Sequence, residues 1–559
     1  MSAESHHLPG PTEFRGLFSE LLAPEHRFYK LVLIYSFAIS LLTLAVPISV
    51  QSLIDTIANI GLVRAVVMIS LILFGLLLFS GMLYALRAYV MELFNRQIFI
   101  RLSSEMAMCA ISARESGMDD RKRLALFNRF FDIMTLKKNI PNILTNVFML
   151  VLTALIGFIV VSLYHLYFFL FAVILIALIW VVWKIWGWKA IVSAFALSEA
   201  KYETADALHD LSISLRDIKS TGNVEYILDE FNQVVNDHVD KQEIHFSYNY
   251  KQLLSLLLIN ALASAALLGM GGWLVIQGQL TLGQLVAAEL IMMGIFAGLA
   301  PLAGYLGYFY DICAAVEEIS RFNTLPRESE YNGSPARPTD HNPGLTFSEA
   351  SFGPMESSKD MPLNFSLLPG DIICSPDAPS RIRNLVKNAV TANIFPARGE
   401  VYLGNMASHE MNTFALRKLV KVIDRASVIP GTIRHYLLFS NPAAMKADIQ
   451  EALELTDLTS TIDNLPQGLE TMLSADGWPL GLEQSLRLKL AAAFLSQPGI
   501  LVLDHVVDLV DENVMEYILT RFNALNTSVL YFTHRTNLDS FTGTLPFDTD
   551  QTTTETTQS

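Results

Sequence analysis

The sequence predicts a membrane α-helical bundle of six transmembrane helices followed by an α/β domain, on three observations. Apolar residues make up 52% of the 559 and charged residues only 17%, the balance of a membrane protein that also carries a soluble part. Every long apolar run lies before Arg321. Beyond Gly344 short apolar strands alternate with helical stretches, the pattern of a layered α/β domain.

A bilayer core requires about 20 apolar residues of helix, and six runs meet that requirement: Leu31–Leu53, Val63–Val90, Ile140–Leu163, Leu166–Trp188, Leu253–Ile276 and Leu285–Tyr308. The links after the first, third and fifth are short, whereas those after the second and fourth are long and charged. Basic residues gather in the long links, among them Arg96, Arg101, Arg114, Arg121, Lys122, Arg123, Arg129, Lys137 and Lys138, then Lys201, Arg216, Lys219 and Lys241. The positive-inside rule therefore places both termini and both long links in the cytoplasm. Met1–Glu25 is polar with no apolar core, so no cleavable signal peptide is expected.

These features bound the domains as follows: 1–27 a cytoplasmic N-terminal segment, 28–322 the six-span region, 323–344 a Pro- and Gly-rich linker, 345–545 the α/β domain, and 546–559 a Thr-rich disordered tail. A net charge of −15 argues against a nucleic-acid binder. Cys109, Cys313 and Cys374 are too scattered for a metal pattern or a disulfide framework and read as buried thiols. Glu289 sits inside the sixth span, where a carboxylate costs about 3 kcal/mol on insertion scales. It is either a lining residue of a path through the bundle or a structural hydrogen-bonding group between helices.

The long links themselves read as helices, as in Glu199–Ser220 and Val224–Val239. Helices that run far into the cytoplasm and turn tightly outside resemble the exporter-type membrane domain of ABC transporters. Two stretches carry the likeness: Ala207 through Glu225, and Gly278-Gln-Leu-Thr281-Leu-Gly283-Gln-Leu-Val-Ala287 followed by Pro301-Leu302. The second half resembles a P-loop NTPase-like ABC domain throughout, in Pro369-Gly370-Asp371, Ala397-Arg-Gly399-Glu-Val-Tyr-Leu-Gly404, Gly431-Thr-Ile-Arg434 with Asn441-Pro442, and Leu465-Pro-Gln-Gly468.

The resemblance implies ATP and Mg²⁺, yet the residues meant to hold them are degenerate. A phosphate loop needs G-x-x-x-x-G-K-[ST], because glycines turn backbone N–H groups toward the phosphates, Lys adds charge and the hydroxyl meets Mg²⁺. Here the stretch is Cys374-Ser-Pro376-Asp377-Ala378-Pro379-Ser380-Arg381-Ile382-Arg383-Asn384-Leu385, without glycine or lysine. Two prolines lack an N–H and Asp377 repels phosphate. Ser380, Arg381 and Arg383 are the degenerate nucleotide-binding positions that the resemblance implies here, and either Arg381 or Arg383 nears the lysine position; a solvated helix face is the reading for both. Phe352 is the one aromatic near the adenine position.

By the same resemblance Asp424 stands where the family has a glutamine reaching the γ-phosphate. Leu480-Gly481-Leu482-Glu483-Gln484 stands for the signature, of which Gly481 and Gln484 remain. Leu482 crowds that helix N-terminus and Glu483 brings a like charge, worth about 4 kcal/mol at ~4 Å and an effective dielectric near 20. Asp504, ending the apolar strand Ile500-Leu-Val-Leu, holds the Mg²⁺ position, but His505 replaces the catalytic glutamate. His534 fits the switch histidine and Asp511 the following loop aspartate. With their partners gone, Asp504, His534 and Asp511 read best as strand-end and cap residues kept for folding.

ABC domains work in pairs, each nucleotide lying between the loop of one and the signature of the other. Two copies of this chain would make two sites altered on both sides, and a consensus partner would leave two half-altered sites. The resemblance thus implies a subunit of an ABC-type exporter complex in the bacterial inner membrane whose pseudo-ATPase domain relies on another protein for ATP turnover. The second half is most similar to peptide and protein exporters of the type I secretion kind, without their peptidase domain. Implied partners are a second copy or a second ABC half-transporter, membrane lipids, and a periplasmic adaptor with an outer-membrane channel. A non-transporting scaffold or regulatory subunit, and a slow ATPase using Arg381 or Arg383 with His505, are the alternatives.

Overall fold

A computed structural model of the chain describes residues 16, 23–59, 63–114, 127–323, 328, 343–353, 362–376, 378–537 and 540–547. Arg121, Lys122, Arg123, Asp377, most of the linker and the Thr-rich tail lie outside them. Apart from a short piece of the first long link, the chain divides into two units that meet at Arg327–Glu328. Each is described by itself.

Among the described residues the first unit is built of helices: α1 (His26–Thr43), α2 (Ala45–Asn59), α3 (Val63–Ser112), α4 (Phe130–Asn142), α5 (Phe148–Ser162), α6 (Leu166–Ile213), α7 (Leu215–Thr221), α8 (Val224–Ile276), α9 (Leu282–Phe296) and α10 (Leu299–Asn323). Together they make 6 stretches long and apolar enough to cross a membrane, as the apolar runs predict. Three of the uninterrupted helices, α3, α6 and α8, have 50, 48 and 53 residues. At about 1.5 Å per residue each is longer than 70 Å, more than twice the ~30 Å hydrocarbon core.

The other three stretches are broken, and each break has a local chemical cause. The first breaks at Leu44 and the sixth at Ala297–Gly298. In both the proline, Pro47 or Pro301, falls in the first turn of the helix that follows, where a missing N–H costs nothing. The third carries Pro141 inside α4 and then a wide π turn over Ile143–Val147. Asn142 Nδ2 donates to the Lys138 carbonyl at 2.9 Å and Thr145 Oγ1 to that of Pro141 at 2.6 Å. Side chains thus satisfy backbone acceptors beside Pro141 and the π turn, as a low-dielectric setting demands.

A polar network ties α4, α6 and α10. The Asp132 carboxylate accepts from Lys201 Nζ at 2.9 Å and from the Tyr202 hydroxyl. Arg129 Nε donates to Glu318 Oε2 at 2.5 Å, both side chains being nearly buried, and its guanidinium lies 5.3 Å from the Tyr202 ring centre. Removing one member of a buried pair strands the other. Glu318→Ala is expected to destabilise the first unit by about 2 kcal/mol, limited by the choices left to Arg129. A lowered thermal midpoint in detergent, with unchanged helical content at low temperature, is the check.

The second unit is a layered α/β fold. A parallel sheet of five strands has the order β11-β3-β10-β9-β6, comprising β3 (Ile372–Pro376), β6 (Val420–Ile423), β9 (Ile500–Leu503), β10 (Ser528–Thr533) and β11 (Gly543–Thr544). Every residue of β9 and β10 is buried, as strands covered on both faces must be. An antiparallel sheet, β2-β1-β4-β5, contains β1 (Leu345–Ser351), β2 (Leu363–Leu367), β4 (Arg398–Leu403) and β5 (Met406–Ala407). A two-stranded ribbon, β7 (Gly431–Thr432) with β8 (Met472–Leu473), completes the strands.

Helices α11 (Ser380–Val390), α12 (Thr413–Leu419), α13 (Ile433–Ser440), α14 (Lys446–Leu455), α15 (Thr459–Asp463), α16 (Leu482–Ser496) and α17 (Glu512–Ala524) fill the connections. Arg417 on α12 grips Glu328 through two nitrogens, at 2.9 and 2.6 Å, fixing the start of the unit. Cys313 and Cys374 are buried and Cys109 half-buried, all as free thiols.

Candidate functional site

The parallel sheet brings the C-terminal tips of β3, β10, β9 and β6, in that order, to one edge, the crevice position where open α/β sheets bind ligands. Asp504 projects from the tip of β9 and is 3% exposed. A buried carboxylate must be compensated, and here four groups of the same chain do it. Lys387 Nζ donates to Oδ2 at 2.5 Å. Arg383 Nε lies 3.1 Å from Oδ1. The His505 backbone N–H donates to Oδ1 at 2.9 Å, and His505 Nδ1 stands 2.8 Å from the same oxygen.

The two cations come from one helix, α11, four residues apart and so on one face. Val386, Ala389 and Val390 pack into the core shared with β1, β4 and β9, a seating of α11 that leaves Arg383 and Lys387 against Asp504. Lys387 also lies 3.6 Å from Asp424 Oδ2. Arg383 NH1 reaches back to the Ala378 carbonyl at 2.7 Å, so the loop before α11 presents a carbonyl inward where an anion cradle would present N–H groups. The result is a chain of charges in which Asp504 meets both cations and Lys387 also approaches Asp424.

The solvated helix face expected for both arginines is corrected for Arg383, whose side chain is 14% exposed and ion-paired. Asp504 is an acceptor the helix can reach, and desolvation makes that pairing strong. Arg381 is exposed. Lys387 escaped the sequence reading because it falls two residues beyond the stretch compared with a phosphate loop. Its spacing from Arg383 was the available signal.

Burial pushes the Asp504 carboxyl up, but the hydrogen bonds from Lys387 and His505 outweigh this and hold it below the ordinary carboxylate range. A folded pKa below the unfolded one means stability that is present above the ordinary carboxylate pKa and lost as pH falls through the depressed value. Acid unfolding is therefore expected to be shallower in Asp504→Asn than in the unmodified chain below roughly pH 4, as followed by circular dichroism.

A second hub, also missed in the sequence, centres on Asp508. It accepts from the Tyr531 hydroxyl and Thr533 Oγ1, both at 2.7 Å, and from the His534 backbone N–H at 2.9 Å. Arg535 Nε approaches it at 3.5 Å. Through that hub His534 is placed with its ring centre 5.5 Å from that of His505. Asp511 caps α17, accepting from the backbone N–H groups of Asn513 and Val514.

The signature stretch begins α16, away from Asp504 in sequence and closed on itself. The Gly481 N–H donates to Gln484 Oε1 at 2.8 Å. Leu482 is 56% exposed. Glu483 is clamped by Arg487, whose NH2 lies 2.5 Å from Oε1, and Arg487 in turn holds Asp457 at 3.1 Å. The like-charge repulsion expected from Glu483 is thus corrected downward, because Arg487 neutralises it within one helical turn. Phe352 packs against the core shared by β1, β4 and β9. Ser380 opens α11 after Pro379, which caps nothing by its side chain.

A magnesium ion on Asp504 would share the carboxylate with an ammonium at 2.5 Å and a guanidinium at 3.1 Å. At ~4 Å and an effective dielectric near 20, a divalent ion and an ammonium repel by about 8 kcal/mol, an upper figure that would expel the lysine. Residues arranged this way do not fit a Mg²⁺–triphosphate.

Comparison with known proteins agrees with the architecture. A sequence model of the ABC transporter transmembrane region matches residues 30–299. The chain is 25% identical over 284 residues to a multidrug efflux ATP-binding/permease protein of Mycobacterium bovis, covering 50% of this chain and 24% of that protein. It is 28% identical over 142 residues to the transport/processing ATP-binding protein ComA of Streptococcus pneumoniae, covering 25% and 20% respectively. The chain thus spans less than half the length of the curated relatives it matches. The structure of a bacterial Atm1-family ABC exporter with ATP bound superposes with a TM-score of 0.80 at 18% identity, covering 93% of this chain and 94% of that one. The protein is an integral membrane protein with the ABC exporter fold, and its residues 30–299 match the model of the ABC transporter transmembrane region.

Proposed function

We propose that the chain is a subunit of an ABC-type exporter complex in a bacterial inner membrane, with both termini cytoplasmic, whose second unit is a pseudo-ATPase. Another protein supplies ATP turnover, and the assembly is a dimer with a second half-transporter. The observation that carries this reading is the closure of Asp504 by Lys387 and Arg383. His505 beside it is held by the same carboxylate, so the group replacing the family's catalytic glutamate is engaged with Asp504. The likeness to ComA and the wording of the second half favour a peptide or protein as cargo, in the manner of type I secretion with its periplasmic adaptor and outer-membrane channel.

Purified chain in detergent is expected to bind Mg²⁺–ATP no better than millimolar and to release no phosphate above background. Co-purification is expected to bring down a second ABC chain with intact motifs. Micromolar binding of Mg²⁺–ATP that Asp504→Asn abolishes would overturn the pseudo-ATPase reading. Purification without any second ABC chain, with export unimpaired, would overturn the dependence on a partner.

A further inference from the structure

Helices α8 and α9 form an antiparallel hairpin closed by the turn Gln277–Thr281. Near the turn they pack tightly: a Cβ on Gly271 would come within 2.4 Å of Leu285 Cδ1. Further into the bundle they part, leaving a cleft of about 260 Å³ lined by Asn260, Ser264 and Leu267 from α8 and Glu289, Met293 and Phe296 from α9.

The polar groups in this cleft are short of donors. Glu289 makes no hydrogen bond or ion pair among the described residues. Asn260 Oδ1 is buried without a hydrogen-bond partner. A carboxylate inside a membrane span and a buried amide oxygen each carry a desolvation cost that only a donor relieves. Neither group contributes to holding α8 and α9 together, which removes the structural reading of Glu289 as an interhelical hydrogen-bonding group.

The spacing of the acceptors describes what would satisfy them. From the ends of the hairpin, Ile276 and Leu282, Asn260 lies sixteen residues back along α8 and Glu289 seven residues along α9. At about 1.5 Å per residue the two acceptors stand roughly 13 Å apart along the helix axis. Between them run Ser264, Leu267, Met293 and Phe296, a wall that is apolar except for one hydroxyl.

We propose that this cleft recognises an amphiphilic amine: a protonated amino group against Glu289, an apolar or aromatic body along Leu267, Met293 and Phe296, and a second hydrogen-bond donor at Asn260 and Ser264. The proposal rests on the reading of the chain as a transport subunit and names the chemistry of the cargo end that it holds. A bare metal ion satisfies one end only, and a quaternary ammonium brings no N–H to either acceptor.

Dansylcadaverine, a primary amine joined by an alkyl chain to an aromatic sulfonamide N–H, is the probe. Its fluorescence is titrated against the full chain in lipid nanodiscs, with N-acetylated dansylcadaverine as the neutral control for partition into lipid. The amine is expected to bind saturably and about ten-fold tighter than the acetylated form. Glu289→Gln is expected to erase that difference, Glu289→Asp to keep part of it, and Asn260→Leu to weaken the amine roughly five-fold. Equal affinity for amine and acetylated probe in the unmodified chain, or an unchanged preference in a folded Glu289→Gln variant, overturns the proposal. If Glu289→Gln fails to fold, the amine-against-acetyl comparison and Asn260→Leu decide. Export that persists in cells lacking the chain, alongside amine binding to the purified protein, would instead sink the transport-subunit reading and leave the cleft assigned.

Discussion

Lys387→Met is expected to lower the thermal midpoint of the second unit by roughly 6–12 °C, corresponding to about 3 kcal/mol for a unit of this size. The substitution keeps most of the volume and apolar stem of the side chain but leaves a carboxylate, 3% exposed, without its 2.5 Å ammonium. Removing one partner of a buried pair costs more than the pair itself contributes, because the remaining charge stays desolvated. Arg383 and His505 still face Asp504, which keeps the loss at the low end of the usual range. The double variant Lys387→Met, Asp504→Asn is expected to recover most of it. Recovery by the second substitution is the discriminating outcome. Were Lys387 only packing against the core, Asp504→Asn would add its own loss instead.

Gly399→Ala is expected to cost about 3 kcal/mol, chiefly through steric conflict with the facing strand. Gly399 has φ +71°, a region L side chains rarely adopt. A Cβ there would lie 2.1 Å from the Glu349 carbonyl oxygen and 2.4 Å from that of Ser348. Both are backbone atoms of β1, at the irregularity where the β1–β4 register shifts between Ser348 and Ser351. No rotamer relieves that contact, so the strand pair has to separate locally. Gly468→Ala is the internal control: φ is +52°, but no atom lies within 4 Å of the added Cβ, and about 1 kcal/mol of backbone preference is all that is lost. Thermal unfolding of both variants separates steric conflict from conformational preference.

The six membrane stretches were legible because a span is a local property, a run of apolar residues of sufficient length. The breaks at Leu44 and Gly298 were partly legible through Pro47 and Pro301, while the π turn after Pro141 needed the backbone geometry itself. In the second unit the strand tip at Asp504 could be read from four apolar residues ending in an acid. What surrounds Asp504 could not. Which face α11 turns inward is decided by Val386, Ala389 and Val390 packing on strands far away in sequence, and only then do Arg383 and Lys387 share a target. Asp508 is similar. Its partners Tyr531 and Thr533 reach it because β10 lies next to β9, a relation of strand order that no local pattern encodes. Glu483 and Arg487, by contrast, were a helical pair in plain view, and their ion pair follows from spacing alone.

Because Lys387 and Arg383 are tethered to the same chain as Asp504, their supply does not vary with the energy state of the cell. A domain held together by a dissociable ligand is stabilised by mass action, about 2.7 kcal/mol at a hundredfold excess of ligand over its dissociation constant. It softens when that ligand is exhausted. On the proposed pseudo-ATPase reading the second unit of this chain is exempt, keeping one free energy of folding in starved and well-fed cells alike. Next to a nucleotide-dependent partner it would be the invariant half of the pair, a fixed surface against which the other domain's ligand-driven changes are measured.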